Sequence, residues 1–180
     1  MVKGCYNTIF MNFNLISLKT LQLSKNKVTE ICRLKDSQWK FGIKSQHQWF
    51  KDNVKKNDIH NLLYIKSKLI GYTLLRIRLY NTDNNFKKKN YILFDTLVLN
   101  KNYRKKKLSD LMMTYNNMII KETGFFSFLI CKNDLVSFYK KYNWIKLNKK
   151  NINVVDHSFS TNGMLFNTKN IQKYYFFFDK

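Results

Sequence analysis

The nine residues YILFDTLVL, Tyr91 to Leu99, constrain the fold more than any other stretch of the chain. Side chains along a strand point alternately to its two faces, and here both alternating sets are apolar apart from Asp95 and Thr96. A strand that is apolar on both faces must be covered on both faces, so a sheet with one side open to water is excluded. Around it, NFNLISLKTLQL (12–23) reads as a first strand, and NLLYIKS (61–67) and GYTLLRIRLYN (71–81) as two strands joined by a tight hairpin at KLIG. NTDNNFKKKN (81–90) reads as a polar loop. FFSFLICKN (125–133), WIKLNK (144–149) and GMLFN (163–167) supply later strands.

Helical spacing occupies the intervals. SKNKVTEICRLKDSQW (24–39) places Ser24 as an N-cap before Val28, Ile31, Cys32 and Leu34, and KSQHQWFKDNV (44–54) gives a second, shorter helix. Leu108, Leu111, Met112, Tyr115, Met118 and Ile119 recur at three and four, an amphipathic helix with Gly124 as its stop. DLVSFYKKYN (134–143) is a short helix with Leu135, Phe138, Tyr139 and Tyr142 on its apolar face. The order β, α, α, β, β, β, α, β, α, β, β predicts an α/β (α+β) chain, a mixed sheet with helices on its faces. At 180 residues this is one domain, spanning 1–180.

The net charge of +22 raises nucleic acid as a partner, but only four of the 33 basic residues are arginine (Arg33, Arg76, Arg78 and Arg104). The lysines are spread along the chain. Lysine and asparagine have A-rich codons and proline, absent here, GC-rich ones, so nucleotide composition alone would yield such a chain. A solvated basic surface is the simpler reading, and nucleic acid is not the expected partner. Cys5, Cys32 and Cys131 are far apart and lack C-x-x-C spacing, which argues against a disulfide framework or a metal site and for a reducing cytoplasm. There is no apolar run of about eighteen residues and no leader-like block, so neither a membrane span nor a signal peptide is expected.

The segment after the apolar strand carries the chemistry. In NYRKKKLSDLMM four cations, Arg104, Lys105, Lys106 and Lys107, stand at the start of a helix, where positive charge opposes the macrodipole. The free amides of a helix N-terminus bind anions, and with these side chains they would suit a phosphate or pyrophosphate. A solvent-exposed basic turn is the alternative.

LVLNKNYRKKKLSDLMM (97–113) resembles the acetyl-CoA-binding signature of the GNAT N-acetyltransferase superfamily, a strand of type L-x-V leading into Y-R-G-x-G-[IL]-G-x-x-L-M. LICKNDLVSFYKKYNW (129–144) resembles its second signature, a strand, an Asn, then F-Y-x-x-x-G-[FW]. That segment and VVDHSFSTNGMLFN (154–167) look most like the aminoglycoside 2'-N-acetyltransferase branch. The resemblance implies a mostly antiparallel central sheet, acetyl-CoA as co-substrate, no metal, and a small-molecule amine, such as an amino sugar, as acceptor. A basic surface favours an anionic acceptor over a polycationic one. The protein would be a cytoplasmic monomer or homodimer. A nucleic-acid-binding protein and a non-catalytic acyl-CoA-binding relative are the alternatives.

By the same resemblance, the backbone of Leu97, Val98 and Leu99 would hold the pantetheine arm, and the loop Arg104, Lys105, Lys106, Lys107, Leu108 and Ser109 the pyrophosphate. Lys105 and Lys107 stand where the family usually has glycine, and Asn143 replaces another before Trp144. Tyr139 would protonate the leaving thiolate, the alternative being a core tyrosine. Asn133 would contact the cofactor or cap a helix. Asp95 is the first candidate for the base, or else a carboxylate paired with Arg76 or Arg78; His157 is the second. His60 would touch the acceptor or cap its strand. Cys131 reads as core. Trp39, Trp49 and Phe50 would border the acceptor or fill the core.

Overall fold

The computed structural model describes residues 13–83, 85–104, 107–155 and 161–178, with backbone alone at 85 and 86. Among these residues nine strands are ordered β1 (Phe13–Lys19), β2 (Ile59–Ile65), β3 (Lys68–Thr82), β4 (Asn85–Leu99), β5 (Ser127–Cys131), β6 (Ile145–Lys146), β7 (Ile152–Val155), β8 (Asn162–Phe166) and β9 (Tyr174–Phe177). The helices are α1 (Lys25–Trp39), α2 (Ile43–Asn53), α3 (Leu108–Glu122) and α4 (Val136–Lys140). Across the sheet the strands run β1-β2-β3-β4-β5-β8-β6, and β9 pairs with the distal half of β3 and with β7. Among the described residues only β4–β5 and β7–β9 are parallel pairs; the sheet is mixed and mostly antiparallel.

Tyr91–Leu99 is covered on both sides as its composition requires. On one face Ile92 and Phe94 pack with Met113, Ile120, Tyr139 and Trp144, while Leu63, Ile70, Leu108 and Met112 form an adjoining cluster. On the other face α1 and α2 bury Ile31, Cys32, Leu34 and Phe50 against Leu62, Tyr72, Leu74 and Val98. The half of that face beyond the helices is closed by β7 and β9, whose Ile152, Val154, Tyr174 and Phe176 pack on Tyr91, Leu93 and Phe128.

Ser24 caps α1 as its position predicts, its hydroxyl accepting from the Lys27 N–H. Other expectations are corrected. The polar segment 81–90 is mostly strand: β3 and β4 continue through it as a long hairpin with Thr82 opposite Asn85, because main-chain pairing there is worth more than the side chains' polarity indicates. The first strand stops at Lys19, where a 3-10 turn follows. The buried face of α3 is Leu108, Met112, Met113, Asn116 and Ile120, whereas Leu111 and Met118 are exposed. The phase is shifted because Asn116 is satisfied inside, accepting from Asn61 Nδ2 and donating to Thr73 Oγ1. β7 and β9 carry no strong alternation and were not foreseen.

Two buried polar groups pin α2 to the sheet. Asp58 and Arg78 form a two-pronged ion pair with both side chains inaccessible to solvent. Arg78 also donates to the carbonyls of Asn53, Ile77 and Phe178, and Asp58 accepts from the N–H groups of Lys55 and Ile77. With every lone pair and proton engaged, the pair meets the condition for tolerating burial, and losing one partner costs about 3–5 kcal/mol. His60 lies alongside, stacked between Phe50 and Tyr72. The Thr20 hydroxyl is 2.7 Å from the Lys55 carbonyl, so it donates there and accepts from His60 Nε2; Nδ1 then accepts from Tyr72. His60 is thus an internal residue, hydrogen-bonded through both ring nitrogens and stacked between two rings.

Burial pushes the His60 pKa down to about 4, below the ordinary value of about 6.5. The unfolded chain therefore binds this proton more readily, and stability is complete above pH ~6.5 and falls as pH drops towards 4, at up to about 1.4 kcal/mol per unit. His60→Gln should flatten this part of the acid limb. Urea midpoints at pH 7, 5.5 and 4.5 measure it, and equal slopes in both proteins would exclude His60 as the source.

Candidate functional site

Asp95 is the extra residue of a β-bulge. Leu74 pairs with Thr96 and Leu75 with Phe94, so nothing on β3 stands opposite Asp95. A bulge bends its strand and sends two consecutive side chains to one side; Asp95 and Thr96 accordingly line one pocket together. The bend coincides with the end of parallel pairing. β4 is paired to β5 at Ile92 and Leu93 and no further, so the edge of β4 from Phe94 onward has no strand beside it. Asp95 as a residue is exposed although its side chain is only 21% exposed, which makes its main chain the open part.

The opening between the splayed strands is a cleft of about 640 Å³. Leu97, Val98 and Leu99 form its β4 wall, Ile130 and Cys131 its β5 wall, and Phe138 and Tyr139 its α4 side. Its far end is the start of α3, where Ser109 lines the wall and Arg104 stands at the mouth. Leu108 and Ser109 occupy the first two helical positions, whose N–H groups have no acceptor inside an α-helix. Arg104 donates through Nε to the Leu99 carbonyl, and its Nη2 donates to Gln38 of α1. Lys132 adds a further cation.

The structure thus brings together Leu97, Val98, Leu99, Arg104, Ser109 and Tyr139. Leu108 turns its side chain into the core, leaving its backbone at the helix start. Asn133 opens a 3-10 turn, is exposed, and stands apart from the cleft wall, which its neighbours Lys132 and Asp134 join. Lys105, Lys106 and His157 lie outside the described residues. Cys131 is a buried free thiol on the cleft wall, its pKa raised by burial.

Tyr139 is 8% exposed, wedged edge-on against Phe94 and Phe138 and tilted on Trp144. Burial raises its pKa, so the phenol stays protonated. Its place is set by Asn143, whose φ of 63° turns the chain back after α4, and by Trp144, whose Nε1 donates to Asn117 of α3. Asparagine is the residue that best replaces glycine in this left-handed conformation.

A second pocket of about 300 Å³ adjoins the cleft, with Trp39 in both walls. It is lined by Trp39, Phe41, Ser45, Gln46 and Trp49 from the α1–α2 corner, with Lys35, Asp95 and Thr96. Phe50 packs in the core instead. Asp95 is paired with Arg76 at 2.8 Å, the alternative that its position in the sequence left open. Lys35 is 5% exposed, with Nζ 3.4 Å from the centre of the Trp49 ring. Burial pushes its pKa down to about 8, against the opposing pull of Asp95. Sequence reasoning passed over Lys35 and Gln46. The signal for Lys35 was there: it lies four residues after Ile31 and three after Cys32, on the apolar face of α1.

No protein-family model matches the sequence, and no curated protein matches it either. Solved structures do share its fold. An acyl-CoA N-acyltransferase from Pseudomonas aeruginosa superposes with a TM-score of 0.63 at 11% identity, over 86% of this chain and 99% of that one. A GNAT-family acetyltransferase from Staphylococcus aureus Mu50 gives 0.59 at 15% identity, over 86% and 98%. A mutant of the toxin AtaT, bound to acetyl-CoA and the C-terminus of the antitoxin AtaR, gives 0.55 at 11% identity, over 86% and 92%. The chain has the GNAT fold. Among the described residues no cluster of His, Cys, Asp and Glu could hold a metal ion, and no helix is long and apolar enough to cross a membrane.

Lys107 has φ 57° and ψ 13°, a left-handed conformation at the N-cap of α3. The backbone there thus keeps the shape for which glycine is suited, and a residue with a Cβ adopts it at a cost of about 1–2 kcal/mol. Lys107→Gly should raise stability by about 1 kcal/mol, read as a higher thermal midpoint with unchanged circular dichroism. A lower midpoint would show that this conformation is not adopted in solution.

Proposed function

We propose that the protein is an acetyl-CoA-dependent N-acetyltransferase that moves an acetyl group directly to a primary amine of a small molecule. The observation that carries this reading is the cleft between β4 and β5. An unpaired strand edge faces it, a helix N-terminus with Arg104 closes one end, and a buried, protonated tyrosine lies on its wall. Strand amides along Phe94–Leu99 suit the amide groups of a pantetheine arm, and the start of α3 with Arg104 and Lys107 suits a pyrophosphate. The fold shared with acyltransferases supports the same reading.

Acetyl-CoA supplies an acyl group activated as a thioester. The acceptor nitrogen attacks the thioester carbon; an N–C bond forms and the C–S bond breaks. Tyr139 gives its proton to the departing sulfur, and the proton lost by nitrogen passes to Asp95 on the neighbouring pocket wall. Holding both reactants in adjoining pockets makes the encounter effectively unimolecular. Amino sugars are the first acceptors to test, since Trp39 and Trp49 offer flat apolar faces and the segments 129–144 and 154–167 resemble the aminoglycoside-modifying branch. The protein would act in the cytoplasm, as a monomer or homodimer.

Calorimetric titration with acetyl-CoA should show binding, and thiol release in the presence of an amine panel should show turnover. Tyr139→Phe should lower kcat about a hundredfold with little change in acetyl-CoA affinity. Absence of binding at millimolar acetyl-CoA would refute the assignment, and an unchanged kcat would remove Tyr139 from the reaction.

A further inference from the structure

The polar groups of the aromatic pocket are unevenly matched to one another. Asp95 has Arg76. Gln46, only 3% exposed, has a side-chain nitrogen with no hydrogen-bond partner among the described residues. A buried amide N–H left unpaired is unfavourable, since it has lost its water partners and gained none. Gln46 lines the pocket, and half a turn of its carboxamide, which exchanges nitrogen and oxygen, would offer the donor to a ligand there. The Lys35 ammonium rests on the Trp49 ring, which attracts a cation but accepts no conventional hydrogen bond. Two donors, one charged, therefore share a small aromatic enclosure with a carboxylate on the β4 side.

We propose that this pocket selects an acceptor amine that also carries a carboxylate, on a ring with an apolar face held among Trp39, Phe41 and Trp49. The acceptor's carboxylate would take hydrogen bonds from Lys35 and Gln46, and its amine would lie towards Asp95, next to the cleft that Trp39 also borders. The charges then complement one another: cation and amide donor face the carboxylate, Asp95 faces the ammonium. An amine without a carboxylate gives the Gln46 and Lys35 donors no acceptor in the pocket, and a site built to hydrogen-bond a ligand group discriminates strongly against ligands that lack it. Acetyl transfer to the bound amine rests on the transferase reading, but the selectivity itself is a property of the pocket.

The test uses ligand pairs that differ in the carboxylate: L-tryptophan against tryptamine, and muramic acid against glucosamine. Titrated into the full-length protein, the carboxylate-bearing member of at least one pair should bind about tenfold or more tightly. Lys35→Met, which removes the charge but keeps the length, should reduce that preference to about threefold or less. Where that variant does not fold, the ligand pairs on the unaltered protein decide alone. Equal or tighter binding of the carboxylate-free members, or no binding of any member at millimolar concentration, overturns the proposal. Binding of the carboxylate-bearing amines without thiol release from acetyl-CoA upholds the selectivity and refutes the transfer. Turnover of tryptamine and glucosamine, with the acids neither binding nor reacting, does the reverse.

Discussion

One extra residue in β4 governs the functional half of the molecule. Without the bulge at Asp95, β4 would continue its parallel ladder with β5 and close the sheet. With it, the strands part after Leu93 and a row of main-chain groups is left for something other than protein. The same residue turns its carboxylate to the opposite side of the strand from Phe94, towards Lys35 and Trp49. A single backbone irregularity thus creates the cleft on one side and furnishes the adjoining pocket on the other. Both stay open because the surrounding layers cannot collapse. Phe94, Tyr139 and Trp144 fill the space beneath as interlocking rings, and close-packed interiors of this kind resist deformation.

The aromatic pocket depends on a different device. α2 contributes Ser45, Gln46 and Trp49, and it reaches the sheet through few large apolar side chains, since only Gln46 and Phe50 are buried along its length. Its C-terminal carbonyl at Asn53 is instead fastened to Arg78, which Asp58 neutralises. A polar clamp of this kind holds a helix in one position, where an apolar contact would permit sliding. That specificity suits a wall that must present one amide and one indole at fixed places.

Much of the fold was legible because its elements bury faces with a clean period. Ser24 and the spacing of Ile31, Cys32 and Leu34 located α1, and the unbroken apolar run located β4. The failures have specific physical origins. Lys87, Lys88 and Lys89 read as loop because composition reports solvent exposure, and an exposed hairpin arm is as polar as a loop. Asn116 hid the true face of α3 because a hydrogen-bonded asparagine can occupy a core position that hydropathy assigns to leucine. In the site, Leu97–Leu99 and Tyr139 came from motif resemblance and line one cleft, on its β4 and α4 sides. The bulge had no signature, since an extra residue in a strand shows only in the register of its partner. Arg76 was named as a possible partner of Asp95, but nothing in the spacing chose between it and Arg78; the bulge, by re-aiming Asp95, made that choice.

The carbonyl of Phe178 has a consequence for how the molecule assembles. It accepts hydrogen bonds from Arg76 and Arg78, separated from them by 102 and 100 residues. The β3–β4 hairpin and the helices around it can form from nearer neighbours, but the guanidinium that orients Asp95 acquires this partner only when β9 has docked on β3. Closing so long a loop is entropically the most expensive step and the slowest to be rewarded. A chain emerging from its N-terminus would hence fold its scaffold early and complete its charged centre last, so that a nearly finished molecule would hold a formed cleft beside a site whose electrostatics are still unset.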